Sequence, residues 1–191
     1  MPAPAAGESQ RTFGPADRIV SEEAEIVWRG RFIEARRSGK WEFVGRTGNV
    51  TAAVILAIHD GQAILVEQPR VPVGARCIEL PAGLVGDEQA GEEIEAAAIR
   101  ELEEETGYRA ERMENLGRFY ASPGMSAEYF TLMRAEGLTR VGEGGGVEGE
   151  EIVVHHVPVG EIPAFVASKR AEGLEVDSKL LLLLAPSLLG N

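Results

Sequence analysis

The stretch GDEQAGEEIEAAAIRELEEETGY, from Gly86 to Tyr108, constrains this chain more than any other. Residues 92–106 read as a helix that Gly107 ends in the C-cap position. At about 100° per residue, Glu101, Glu104 and Glu105 share an arc of roughly a quarter turn. Ala98, Ile99 and Leu102 occupy the adjacent arc and are expected to face a core. The helix thus buries one stripe and carries three carboxylates along its edge. Like charges three or four residues apart repel, and the helix dipole disfavours anions at Glu104 and Glu105, near the C-terminus. Two readings fit: a solvated acidic face, or hard oxygen ligands converging for Mg²⁺ or Mn²⁺.

Net charge bears on that choice. The chain carries −12 at pH 7, so most of its surface repels nucleic acid backbones and anionic membranes. An anionic ligand such as a phosphate then needs a local reversal of sign, which a bound divalent cation supplies. The expected partner is a small molecule, with no nucleic acid and no membrane. A single cysteine, Cys77, rules out an internal disulfide and a multi-cysteine metal site. A reducing cytosol is the expected compartment, and the start of the chain lacks the basic and apolar regions of a signal peptide.

The rest of the chain, at 191 residues, reads as one domain of mixed elements. Residues 1–20 are expected to be a mobile arm, and residues 21–48 a hairpin turning at Ser38-Gly39-Lys40. Val50 to Ile58 and Ala63 to Glu67 flank an Asp60-Gly61 turn and are expected to pair as a second hairpin. Pro69 and Pro72 should break the next stretch, before a short strand at Cys77–Leu80. Strands are expected at Met113–Tyr120, Tyr129–Ala135 and Ile152–Val157. Helices are expected at Glu161–Glu172 and Ser178–Ala185, with Pro186 ending the last. Such an order implies a mixed sheet covered on both faces. His155 and His156, adjacent on a strand, should face opposite ways and cannot share a metal, and Cys77 reads as a small core residue.

The whole spacing settles what the glutamates alone leave open. Gly86, five residues, Glu92, seven residues, then Arg100-Glu-Leu-Glu-Glu-Glu-Thr-Gly107-Tyr108 matches the Nudix box, with every fixed position filled. The chain therefore resembles the Nudix hydrolases, and the resemblance implies a Nudix-type α/β/α sandwich with a mixed sheet plus an N-terminal antiparallel hairpin, the catalytic domain spanning residues 49–191. It also implies hydrolysis of a nucleoside diphosphate linked to another group, with Mg²⁺ (or Mn²⁺) on Glu101, Glu104 and Glu105. Arg100 would orient a box glutamate, and Glu92 would be structural at the helix start.

Text outside the box is similar to the ADP-ribose and nucleoside-diphosphate-sugar pyrophosphatases. Glu79-Leu-Pro-Ala-Gly-Leu84 resembles their segment before the box, and this resemblance implies the Ala82 carbonyl as a metal ligand. Ser122-Pro-Gly124 with Glu128 is also similar to that branch, which implies Glu128 as a substrate-side residue. The loop Gly144–Val153 looks like that of GDP-mannose pyrophosphatases, and implies a late glutamate as base or metal ligand, first Glu148 and then Glu150. Gly173 to Lys179 is also similar to this group. Trp41, then Trp28, would stack on the base from an N-terminal hairpin that is often exchanged within a homodimer; each is otherwise a core or interface tryptophan. Arg70 is a candidate for the phosphates, with a surface ion pair as the alternative. In relatives the glycine of Pro-Ala-Gly is itself the first box glycine. Here Gly83 lies three residues too early and Gly86 takes that place, which lengthens the loop before the helix.

Overall fold

The computed structural model describes residues 24–48, 50–86, 92–147 and 149–190. The expected N-terminal arm lies outside them.

Strands β1 (Glu25–Arg29), β2 (Ile33–Ser38) and β3 (Trp41–Arg46) form an antiparallel sheet. The expected hairpin is its β2–β3 half, closed by Gly39 at φ 57°, and β1 adds a strand on the far side of β2. Glu34 is buried in this sheet at 2 % exposure between Arg29 and Arg36, which hold its carboxyl below the usual range. The sheet joins the rest of the chain along one seam. Val44 donates its N–H to Met125 O, at 2.9 Å, and accepts from Ala127 N, at 2.8 Å.

The main body follows: β4 (Thr51–Leu56), β5 (Ile58–His59), β6 (Gln62–Arg70), β7 (Ala75–Glu79), β8 (Ala82–Val85) and helix α1 (Ile94–Thr106). After it come β9 (Tyr108–Arg109), β10 (Arg112–Tyr120), β11 (Tyr129–Glu136), β12 (Thr139–Arg140) and β13 (Val153–Pro158). Helix α2 (Ile162–Ala171), β14 (Glu175–Val176) and helix α3 (Leu181–Leu189) close the chain. Two principal sheets result, ordered β10-β11-β4-β8 and β13-β6-β7-β14, with β5 paired to β6.

Three expectations need correction. The run Val50–Ile58 does not pair along its length with residues 63–67. Only β5 meets β6 around Asp60 (φ 48°) and Gly61 (φ 75°), a two-residue turn of the primed kind. β4 itself lies parallel to β11 and antiparallel to β8. A continuous apolar run marks a strand buried on both faces, but pairing partners are non-local. Second, Pro69 does not break the strand: β6 runs to Arg70. Pairing with β13 stops at Glu67, so β6 is an edge on that side, where a missing N–H is tolerated. Third, Pro186 lies inside α3, which continues to Leu189 and stops at Gly190 in the left-handed conformation.

Alternation along the central strands divides the core. Ala53 and Ile55 of β4, Ile64 of β6 and Met133 of β11 pack with Ala97, Ala98 and Leu102 of α1. Val54, Leu65 and Leu132 face the other way, onto Ile162 and Val166 of α2 and Leu180 and Leu184 at α3. The period of two thus yields a helix layer on each side, the α/β/α sandwich expected. Among the described residues no helix is long and apolar enough to cross a membrane.

Leu102 is fully buried at the centre of the α1 face. Leu102→Ala is expected to lower the free energy of unfolding by about 2–5 kcal/mol. Chemical denaturation checks this, and a loss under about 1 kcal/mol would contradict the packing of α1 described here.

Candidate active site

Helix α1 begins after Glu93, whose side chain makes no cap, and ends at Gly107, at φ 73°, with its N–H on Glu103 O at 2.8 Å. Thr106 hydroxyl donates back to Leu102 O. No basic residue stands in the last turn, so the carboxylates of Glu101, Glu104 and Glu105 face an unfavourable dipole without local help. Arg100 supplies the cation instead. Its Nη1 lies 3.0 Å from Glu101 Oε1 and 3.2 Å from Glu104 Oε2, and its Nε 3.4 Å from Glu92 Oε1. The expected pairing of Arg100 with a box glutamate is there, and Glu92 joins it.

Glu105 sits differently. It is buried, at 5 % exposure, and its Oε2 accepts from Ala82 N–H at 3.0 Å. Burial pushes its carboxyl up to about 8; the Ala82 N–H and Arg70 oppose that, and Glu101 and Glu150 add to it. Glu101 lies against Gly83, where a Cβ would come within 1.9 Å of its Cδ. That contact gives Gly83 its own role. The extra residues before the box are not a slack loop, because Ala82–Val85 pair with β4 as β8. Residues 87–91, between β8 and the helix, lie outside the described residues.

A glycine-rich loop covers the end of the helix. Val141 and Gly142 donate to Gly107 O, Gly145 to Glu105 O at 2.9 Å, and Gly146 to Glu104 O at 3.0 Å. Carbonyls that a helix C-terminus leaves unpaired are thereby satisfied. Glu150, further along this loop, accepts from Val147 N–H at 3.0 Å and is near enough to raise the Glu105 carboxyl. Glu148, the first choice for a catalytic glutamate, lies outside the described residues.

Arg70 sends Nε and Nη2 to the two oxygens of buried Glu79, at 2.6 and 2.8 Å, and its charge reaches Glu105. The pair borders a cleft of about 310 Å³ lined by Arg70, Val73, Cys77, Glu79, Glu175 and Asp177. Glu79 carries no site role that the sequence reveals. Its signal was weak, since one glutamate in a short apolar strand does not reveal its partner nine residues away.

Other candidates fall elsewhere. Trp28 and Trp41 are 57 % and 58 % exposed on the N-terminal sheet, Trp28 with its indole over Gly30. Glu128 pairs with Arg46 beside the seam that joins this sheet to the body. His155 bonds Glu67 at 2.9 Å while His156 packs on Tyr108, so the two do face apart. Cys77 is buried.

Among the described residues no three His, Cys, Asp or Glu side chains are already gathered as a cation cage. The donor set nevertheless suits a hard divalent cation. Three carboxylates lie along one helix edge, and one of them is buried near like charges, with the Ala82 N–H as its direct hydrogen-bond partner.

Comparisons with known proteins bear on the family and the fold. A family model described as NUDIX domain matches residues 48–175. The chain is 36% identical over 140 residues to the methanol dehydrogenase activator of Bacillus methanolicus, covering 69% of this chain and 73% of that one. It is 37% identical over 144 residues to the ADP-ribose pyrophosphatase of Bacillus subtilis (strain 168), covering 75% and 73%. Over 181 residues it is 33% identical to the GDP-mannose pyrophosphatase of Cronobacter sakazakii, covering 88% and 90%. The crystal structure of an ADP compounds hydrolase shares the fold, with a TM-score of 0.62 over 88% of this chain and 93% of that chain at 23% sequence identity.

The raised Glu105 carboxyl sets a pH dependence. Its folded form binds a proton more tightly than the ordinary 4.5, so its contribution to stability is full below that value and is lost as pH rises through about 8. In metal-free protein, Glu105→Gln is expected to change little at about pH 4 and to stabilise at about pH 9 by on the order of 2 kcal/mol. Denaturant midpoints at the two pH values read this directly; equal differences at both would mean that Glu105 carries no burial penalty.

Proposed function

The chain belongs to the NUDIX-domain family, and on that premise we propose that it hydrolyses the diphosphate bond of ADP-ribose or a related nucleoside diphosphate sugar with the help of Mg²⁺. The observation that carries this reading is the buried Glu105 carboxylate, held on Ala82 N–H at the edge where Glu101 and Glu104 also stand. A sequence selected for stability alone would not assemble that cost at a helix C-terminus.

Glu101, Glu104, Glu105 and the Ala82 carbonyl would hold the metal, with Mn²⁺ as a substitute for Mg²⁺. When bound, such an ion neutralises the diphosphate and lowers the pKa of a metal-bound water. The protein's own groups do the rest. Arg100 holds Glu101 and Glu104 on the helix edge. Glu150 or Glu148 orients the attacking water and takes its proton. Arg70, fixed by Glu79, offers its remaining edge to a phosphate, and the cleft beside it has room for a small ligand group. Water attacks one phosphorus, the bridging P–O bond breaks, and a nucleoside monophosphate and a sugar phosphate leave. The base stacks on Trp41 or Trp28, with Glu128 on the substrate side.

GDP-mannose is the second reading, favoured by the Cronobacter sakazakii relative because that likeness runs through 88% of the chain. We further infer a homodimer formed through the N-terminal sheet, where Ile26, Trp28, Phe32 and Trp41 are each exposed. Light scattering should give twice the chain mass; a monomer at assay concentration sinks this inference. The buried single cysteine suits a cytoplasmic compartment.

The deciding assay incubates the protein with ADP-ribose, GDP-mannose, UDP-glucose and a non-sugar dinucleotide, with Mg²⁺ and with chelator. Metal-dependent release of a nucleoside monophosphate is expected, fastest from ADP-ribose. Glu104→Gln and Glu105→Gln should each lower kcat by about 100-fold or more while the fold survives. Binding without turnover of any compound would instead make the protein a nucleotide sensor.

A further inference from the structure

The loop that caps α1 contains three consecutive glycines, Gly144, Gly145 and Gly146, all at positive φ (70°, 109° and 83°). Their surroundings differ from those of the chain's ordinary turn glycines. A Cβ on Gly144 would come within 2.4 Å of Thr106 C, 2.7 Å of Glu105 O and 2.7 Å of Gly107 N. Those are backbone atoms of the helix terminus, so they cannot swing aside as a side-chain tip would. Gly145 and Gly146 then donate to the carbonyls of Glu105 and Glu104, the two residues whose side chains end the acidic edge. Finally, a Cβ on Gly146 would come within 2.4 Å of Glu150 Oε2 and 2.9 Å of its Cβ. The Glu150 carboxylate folds over Gly146 and is held there by Val147 N–H. One continuous path therefore leads from the last turn of α1, through the glycines, to Glu150.

We propose that Gly144 and Gly146 are positioning residues, which dock the late loop on the end of α1 and thereby fix Glu150 against the helix carboxylates. The proposal rests on the hydrolytic reading of the site. It explains why the helix ends without a basic residue or a long side-chain cap: the carbonyls of Glu104 and Glu105 are reserved for the loop that carries the catalytic glutamate. Only glycine satisfies both demands, since each position combines a left-handed backbone with a neighbour closer than any Cβ permits. A general base misplaced by about 1 Å loses on the order of 100-fold in rate, so a rigid joint at this point has a catalytic consequence.

The test compares Gly144→Ala, Gly146→Ala and the control Gly173→Ala. Gly173 also has a positive φ, 89°, but nothing lies within 4 Å of its added Cβ. The first two should lose about 100-fold in kcat with KM within about threefold, and the control should keep its kcat. Gly146→Ala meets a side chain rather than backbone and serves if Gly144→Ala does not fold. Glu150→Gln is then added to each background. It should be costly in the parent and cost less than about twofold in the Gly146→Ala protein, because the same contact is already lost. Full kcat in both glycine variants overturns the proposal, and so does an equal cost of Glu150→Gln in every background. If the parent splits no nucleotide compound, the hydrolytic reading fails separately. The joint is then judged by amide exchange at Gly145 and Gly146: slow in the parent and faster in Gly144→Ala sustains it, equal rates overturn it.

Discussion

A helix must carry a row of carboxylates at its C-terminal edge and still fold, and the architecture follows from that electrostatic demand. Taking one carboxylate out of water costs several kcal/mol unless it is compensated, and Glu105 is buried with Glu101 and Glu150 near it. The opposite face of the same helix supplies the counterweight. Ala97, Ala98 and Leu102 are fully buried against β4, β8 and β10, and a large apolar side chain such as Leu102 contributes about 1.5–3 kcal/mol on burial. Arg100 and the Ala82 N–H reduce the remaining cost without abolishing it. The residual imbalance is what a divalent cation would complement.

The helix is also the meeting point of segments far apart in the chain. β8 approaches it from before, with Gly83 giving way to Glu101. The loop after β12 reaches its last turn through the backbone N–H groups of Val141, Gly142, Gly145 and Gly146. Arg70 arrives from β6, held by Glu79 of β7. The two central sheets make this convergence possible, because their strands bury both faces and so hold the loop ends in fixed register. The N-terminal sheet is attached differently, by a short seam at Val44 and the Arg46–Glu128 pair, which leaves its apolar side chains exposed.

Much of the fold was legible residue by residue. The helix expected over 92–106 and its stop at Gly107 rest on local properties, and α1 ends where they place it but starts at Ile94, which leaves Glu92 just before the N-cap Glu93. The strands at 129–136 and 153–158 follow from their β-branched and aromatic residues, whereas 112–120 has only Phe119 and Tyr120 of that kind, at its end. Pairing was less legible. β4 reads as a strand, yet its neighbours are β11 and β8 rather than the segment across the Asp60-Gly61 turn. Pro69 and Pro186 read as breakers, yet one sits where a strand has become an edge and the other within a short leucine-rich helix. Whether a proline interrupts depends on whether a neighbour needs the N–H it lacks.

The sequence by itself determined the family, the set of carboxylates, the edge of the helix they share and the point where that helix ends. These depend on helical periodicity, on the φ freedom of Gly107 and on spacing along one segment, all of which act over a few residues. Only the tertiary structure decided that Glu105 is buried while Glu104 stands half exposed, that Arg70 is committed to Glu79, and that Gly83, Gly144 and Gly146 are required by what presses on them. Those outcomes depend on desolvation and on close approach between separate elements of the fold, quantities set by packing rather than by any local run of residues.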